Sequence, residues 1–168
     1  ADSGTDTVDY SQAITGLTVI LGNGNTQGTA TSADQGSDKL YGIENIIGSN
    51  LKEDVITGNS SVNILSGLVG ADTIYGQAGA DTLYGGADND ELHGGTENDS
   101  IEGGTGKDTL YGDAGDDILK GDVGVNKILA EKEKEISDSK ILLKKEEEKI
   151  NIEKQEKEKL LIQNAKTE

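Results

Sequence analysis

Six aspartates recur at intervals of nine residues: Asp72, Asp81, Asp90, Asp99, Asp108 and Asp117, with Asn63 and Asn126 at the two flanks of the series. Each closes a glycine-rich stretch, so each carboxylate arrives beside bent backbone whose carbonyls can approach an ion closely. Such a donor set consists of oxygen alone. In number and flexibility it suits calcium, which takes roughly six to eight oxygens, and not the compact, water-retaining magnesium. Other chemistry is poorly served. With one histidine and no cysteine there is no nucleophile–base pair to build on, and neither H-E-x-x-H nor G-x-S-x-G occurs. Paired carboxylates are plentiful, but they are committed to the ion and lack a substrate cleft, so no catalytic residues are expected.

What must position these aspartates is a nine-residue unit that runs without a gap from Gly58 to Leu129. After Gly58-Asn-Ser-Ser-Val-Asn-Ile-Leu-Ser come GLVGADTIY from Gly67, GQAGADTLY from Gly76, GGADNDELH from Gly85 and GGTENDSIE from Gly94. GGTGKDTLY from Gly103, GDAGDDILK from Gly112 and GDVGVNKIL from Gly121 complete the run. The aspartates hold position six; Ile74, Leu83, Leu92, Ile101, Leu110, Leu119 and Ile128 hold position eight. A fixed period of this kind marks a stacked solenoid. Positions one to six read as a turn and positions seven to nine as a very short strand, with two units making one coil. Glycine at positions one, two and four would let the loop reverse with positive φ. The chain departs from glycine at Leu68, Gln77, Asp113 and Asp122 (position two) and at Asp88 and Glu97 (position four). Glu tolerates the left-handed region less well than Asp, so the loop at Glu97 is expected to be the most strained.

Composition rules out an ordinary globule, since Phe, Trp, Met, Cys and Pro are absent from the 168 residues and the net charge is −17. Residues 1–130 carry 21 acidic and 5 basic side chains, so the negative field belongs to the repeats. That field repels nucleic acid and anionic membrane surfaces and attracts cations. No apolar run approaches the roughly 20 residues of a membrane span, and no signal-peptide pattern heads the chain. A coil contributes about two apolar core side chains against the ordering of two whole units, and stacking crowds its acidic loops together. Without a metal the regular roll is not expected to be stable.

Residues 1–57 read as a degenerate lead-in on the same plan, with Asp6/Val8, Asp38/Leu40 and Asp54/Ile56 each repeating the Asp-x-apolar step. Alternation over Leu17–Leu21 predicts a strand, Asn23-Gly24 a turn, and the unit from Gly48 to Thr57 one extra loop residue. Residues 58–129 form the regular roll. Residues 130–168 form a Lys/Glu-rich tail without glycine, in which Glu131/Lys134, Glu146/Lys149 and Glu153/Lys157 fall at helical spacing. Leu129, Ile136, Leu143 and Ile150 recur every seven residues but lack a second apolar stripe. A solvated helix closing the roll, a weak self-association helix, and a secretion signal or linker are the readings open for it. Because Asp2 to Val8 match positions two to eight of a unit, the chain is expected to be a piece of a longer protein.

The unit resembles the repeats-in-toxin (RTX) family, whose pattern G-G-x-G-x-D-x-U-x belongs to calcium-binding β-helix repeats. The resemblance implies an all-β fold, a right-handed parallel β-roll, here followed by the charged α-helix of the tail. It also implies calcium ions, about four or five, each held between loops two units apart. One loop would give carbonyls two and four and carboxylate six, the other carbonyls one and three and carboxylate six. Carried onto this chain, one site takes Leu68, Gly70 and Asp72 with Gly85, Ala87 and Asp90, and the next takes Gln77, Gly79 and Asp81 with Gly94, Thr96 and Asp99. A third takes Gly86, Asp88 and Asp90 with Gly103, Thr105 and Asp108; a fourth takes Gly95, Glu97 and Asp99 with Gly112, Ala114 and Asp117. A weaker fifth pairs Gly104, Gly106 and Asp108 with Gly121, Val123 and Asn126. Asp113, Asp116 and Asp122 read as solvated charges, and the alternative for all six aspartates is local turn capping through Asx bonds.

The family further implies a module that folds on meeting calcium, in a protein exported unfolded by type I secretion machinery to the cell surface or medium. The family appends such rolls to proteases, lipases, toxins, adhesins and surface-layer proteins, so any enzyme activity would lie elsewhere in the parent protein. The main alternative is an adhesin or surface-layer binding module that uses the outer face of the roll or the tail. On that face Tyr75, His93 and Tyr111, which follow one another at two-unit steps, should form a ladder that Leu129 continues. An ice-binding threonine ladder is excluded, since Glu91 and Lys127 interrupt Thr73 and Thr109, and Ser100 and Ile118 interrupt Thr82.

Overall fold

The computed structural model describes residues 4–124 and 126–130, with Lys144, Glu146 and Lys149 beyond them. The chain divides into two units, Ala1–Glu131 and Lys132–Glu168. The charged helix expected over 130–168 lies outside the described residues, apart from those three isolated positions.

Fourteen strands are found among the described residues of the first unit. The lead-in contributes β1 (Thr7–Asp9), β2 (Leu17–Ile20), β3 (Gly28–Ser32), β4 (Gly36–Leu40), β5 (Asn45–Ile47) and β6 (Val55–Thr57). The repeats contribute β7 (Ile64–Val69), β8 (Thr73–Ala78), β9 (Thr82–Ala87), β10 (Glu91–Thr96), β11 (Ser100–Thr105), β12 (Thr109–Ala114), β13 (Ile118–Lys120) and β14 (Lys127–Ala130). From β5 on, successive strands enter alternate sheets. One sheet runs β1-β5-β7-β9-β11-β13, the other β14-β12-β10-β8-β6-β2-β3-β4. Within the repeats the pairing is parallel with a step of two units, as in Leu92↔Leu110 and Leu83↔Ile101, until the register between β12 and β14 shifts after Tyr111. This is an all-β parallel solenoid of about five turns.

The position-eight residues from Ile74 to Leu110 point inward from both sheets and form the core, while Leu119 is partly buried against it and Ile128 at the end of the roll is exposed. Val19, Ile56, Ile74, Leu92 and Leu110 line one column and Ile46, Leu65, Leu83 and Ile101 the other, none more than 1% exposed. A continuous stack of such residues fixes the register, because a one-residue slip would turn each of them to solvent.

Three expectations need correction. Strands β7–β12 are six residues long, not three, because positions one to three of the following unit continue the pairing and only positions four to six form the turn; β13 keeps the three-residue length. Position-two residues stay in the ladder (Gln77↔Gly95, Leu68↔Gly86) while adopting positive φ, 78° at Leu68 and 83° at Gln77. Second, the glycines of position one have no positive φ. Their need for glycine is steric: a Cβ on Gly103 would lie 2.6 Å from Asp108 Oδ2. Third, Asp38 and Leu40 are not a coil step. They sit in β4, the outer strand of an antiparallel meander, where Asp38 accepts the Tyr10 hydroxyl at 3.0 Å. Asn23-Gly24 lies in the connection between β2 and β3, as its turn chemistry requires, with Gly24 at φ 54°.

Candidate metal centre

The stacking brings the position-six side chains into two inward columns. Asp54, Asp72, Asp90 and Asp108 follow one sheet, and Asn63, Asp81, Asp99 and Asp117 the other. Asp72, Asp81, Asp90, Asp99 and Asp108 are buried. In each repeat the two carboxylate oxygens have different fates. Oδ1 accepts the backbone N–H of the matching residue two units earlier: Asp54 to Asp72 at 2.7 Å, Asn63 to Asp81 at 2.7 Å, Asp72 to Asp90 at 2.8 Å. The series continues with Asp81 to Asp99 at 2.8 Å, Asp90 to Asp108 at 3.1 Å and Asp99 to Asp117 at 2.9 Å. Oδ2 of all six aspartates is buried and has no hydrogen-bond partner. A buried, unpartnered charged oxygen is costly, and a series of them in register marks a place where a cation belongs.

The surroundings of Oδ2 fit an ion. A Cβ built on Gly85 would meet Asp90 Oδ2 and, at 2.6 Å, the carbonyl oxygen of Gly103; one on Gly94 would meet Asp99 Oδ2 and the Gly112 carbonyl at 2.8 Å. Gly76 stands in the same relation to Asp81 Oδ2 and the Gly94 carbonyl. Each of these orphan oxygens therefore shares its space with the position-one carbonyl of the loop two units on. Those are pairs that the second, third and fourth expected ligand sets contain. The position-two and position-four carbonyls of Leu68, Gln77, Gly86, Asp88 and Glu97 face the matching position of the next coil, where only glycine gives them room. The carbonyls of Ala87, Gly104 and Val123 already accept ladder bonds from Gly70, Val123 and Gly106. No group of three or more His, Asp or Glu side chains converges among the described residues, so carbonyls would have to complete any coordination shell.

The electrostatics point the same way. Burial pushes the carboxyls of Asp72, Asp81 and Asp90 up to about 7 and that of Asp99 to about 6. The N–H bond to Oδ1 opposes the shift, and the neighbouring carboxylate of the same column adds to it. Glu97 does take up left-handed backbone, at φ 74°. Its carboxylate is held by Gly79 N–H at 2.9 Å and Thr96 Oγ1 at 2.7 Å, which lowers its pKa and ties two coils together at the strained loop.

Local capping of this kind exists here, but in the coil before the six aspartates, at Asp54 and Asn63, with a more distant donor joining at Asp54. Ser49 N–H donates to Asp54 Oδ2 at 2.5 Å, Leu17 N–H to Asp54 Oδ1 at 2.8 Å, and Asn59 N–H to Asn63 Oδ1 at 2.9 Å. The regular loops replace that local donor with nothing. One residue outside the expected set shares the orphan state: Asp6 Oδ2 is also buried without a partner. Its signal is the Asp6-x-Val8 step, but the long connection after it hides which loop stacks on it.

On the outer face of the second sheet the expected ladder forms. Tyr75 and His93 stack with centroids 4.9 Å apart, and His93 and Tyr111 at 4.2 Å. The His93 nitrogens lie 3.1 Å from Glu91 Oε1 and 3.5 Å from Asp113 Oδ2, so Asp113 is a partner of the ladder and not of the loops.

A parallel β-solenoid whose loops present stacked, oxygen-only cradles is the class this geometry defines. Residues 54–92 and 93–128 each match the family model of the RTX calcium-binding nonapeptide repeat (4 copies). Across those residues the parallel solenoid fits an RTX β-roll. A search of the curated proteins gives no match.

Proposed function

We propose that this chain is a calcium-dependent folding module, in which about four or five calcium ions settle between loops two units apart and complete the ligand field of the position-six aspartates. One observation carries the reading: six buried Oδ2 atoms in register, each without a donor. In the reading, Asp72, Asp81, Asp90, Asp99, Asp108 and Asp117 give the charge that compensates the ion, and the glycine carbonyls give the neutral oxygens. The chain's own contribution is to hold these oxygens at a fixed spacing along the roll and to keep them from water. The role is structural and regulatory, not catalytic. As RTX repeats suggest, the parent protein would be secreted, by a type I route, and would fold where calcium is abundant, at or outside the cell surface. The adhesin-type alternative finds less support, since the inner ring faces of the Tyr75–His93–Tyr111 ladder are turned to one another. Far-ultraviolet circular dichroism tests the proposal. Strand signal should rise on adding millimolar calcium to the chelated chain and not on adding magnesium; identical spectra in chelator and calcium would refute it.

A further inference from the structure

The unpaired oxygens begin, within the repeats, at Asp72 in one column and Asp81 in the other. The coil before them is built differently. Asp54 has donors on both oxygens, from Leu17 N–H, Ser49 N–H and Ser49 Oγ. The same step in the other column carries the neutral Asn63, whose Nδ2 donates to the Glu44 carbonyl at 2.8 Å. The buried Asn59 closes its own bond to the Gly22 carbonyl at 3.0 Å.

Packing differs in the same direction. Between Tyr10 and Ile56 the core gathers Tyr10, Ala13, Leu17, Val19, Leu21, Ala30, Leu40, Ile46 and Ile56, whereas the repeats contribute one residue per unit. The meander β2-β3-β4 adds antiparallel pairing that no calcium loop interrupts. Charge is lighter as well: residues 4–63 hold seven acidic and two basic side chains, residues 64–128 thirteen and three. The exception, Asp6 Oδ2, lies next to the outer strand β1 and outside this stretch.

We infer that residues 10–63 fold without calcium, as a preformed cap whose strands β5 and β6 offer the pairing edges on which the first calcium-dependent strands, β7 and β8, are laid. The inference rests on the reading of the regular repeats as calcium-dependent. A solenoid gains most from such a cap because each coil contacts only its neighbours, so a folded end removes the cost of starting the stack. Calcium then governs extension of the roll, not its nucleation.

Hydrogen–deuterium exchange of the whole chain, read by peptide in chelator and again in millimolar calcium, tests this. In chelator, peptides covering Leu17–Ser32 and Val55–Thr57 should exchange at least about a hundredfold more slowly than unstructured amides, while those covering Thr73–Lys120 exchange freely. In calcium both groups should be protected. Free exchange of the lead-in in chelator, with the repeats still protected by calcium, would overturn the cap and leave the calcium reading standing. Protection of the repeats in chelator would overturn the calcium reading, and the cap inference with it.

Discussion

At Asp54 and at Asp90 the solenoid places the same side chain at the same step of the coil, facing the same interior, yet the two carboxylates live differently. Asp54 is enclosed by Ser49 and Leu17, which meet both of its oxygens. Asp90 has one oxygen tied to the Asp72 amide and the other buried with no donor. The second residue of the unit differs: the Ser49 amide donates to the carboxylate, as the Asn59 amide does to Asn63, and neither residue has the positive φ that Leu68, Gln77 and Gly86 show at the matching position. From Gly67 on, no second-position amide reaches the position-six carboxylate in this way. The loop there leaves room for something else, and a first-position glycine keeps that room open. The contrast teaches that a position-six side chain is a capped turn residue or a candidate cation ligand according to whether its own loop supplies the donor.

The largest effect should come from removing a shared carboxylate. Asp90→Ala and Asp99→Ala each strip a ligand from the cradle above and the cradle below, and each should raise the calcium needed for half-folding by about tenfold or more, ~1.4 kcal/mol. Asp117→Ala touches one cradle and should shift it less. Calcium titration followed by circular dichroism compares the three, and equal shifts would break the shared-ligand account. Of comparable size is Gly103→Ala, whose Cβ would press on Asp108 Oδ2 and should cost about 1–2 kcal/mol in calcium. In the lead-in, Gly24→Ala meets no atom within 4 Å and should cost only about 1 kcal/mol for its left-handed backbone. Chemical denaturation of both variants in calcium would rank them.

Acidity should separate the metal-free and metal-bound rolls. Burial raises Asp72, Asp81 and Asp90 to about 7 in the roll without metal, above the value near 3.9 of an unfolded chain. The folded form thus holds protons that the unfolded form releases, so this contribution to stability is fully present below about pH 4 and is lost as pH rises through about 7. Strand signal in chelator should therefore grow from pH 8 to pH 5. The calcium requirement should move oppositely, rising as pH falls, because protons compete for the ligand oxygens. The smallest expected change is at Leu68, a non-glycine at φ 78°: Leu68→Gly should relieve strain and stabilise the roll by up to about 1 kcal/mol, against a neutral result if the backbone relaxes instead.

Much of this is legible in the chain itself. The nine-residue period places the aspartates in register and puts Ile74, Leu83, Leu92, Ile101 and Leu110 in the core, because both follow from counting along a solenoid. Alternation marks β2, and the departures from glycine at positions two and four mark where Leu68, Gln77, Asp88, Glu97, Asp113 and Asp122 take up left-handed backbone. What counting does not reach is set by neighbours in space. Asp38-x-Leu40 imitates a coil step, and only the antiparallel partner β3 reveals β4 as a sheet edge. Counting also underestimates strand length, because positions one to three are glycine-rich and carry little strand propensity; the ladder from the coil below imposes it. The division of labour between Oδ1 and Oδ2, and the steric reason for the first-position glycine, depend on where a carboxylate points, which spacing does not encode.

Isothermal titration calorimetry of the whole chain with calcium, and separately with magnesium, tests the central claim most directly. Uptake of about four or five calcium ions with a strongly coupled heat of folding, and no comparable response to magnesium, is the predicted result. A chain that takes up no calcium at millimolar concentration would contradict the account, and would mean that the buried aspartate oxygens of the repeats are satisfied by something other than an ion.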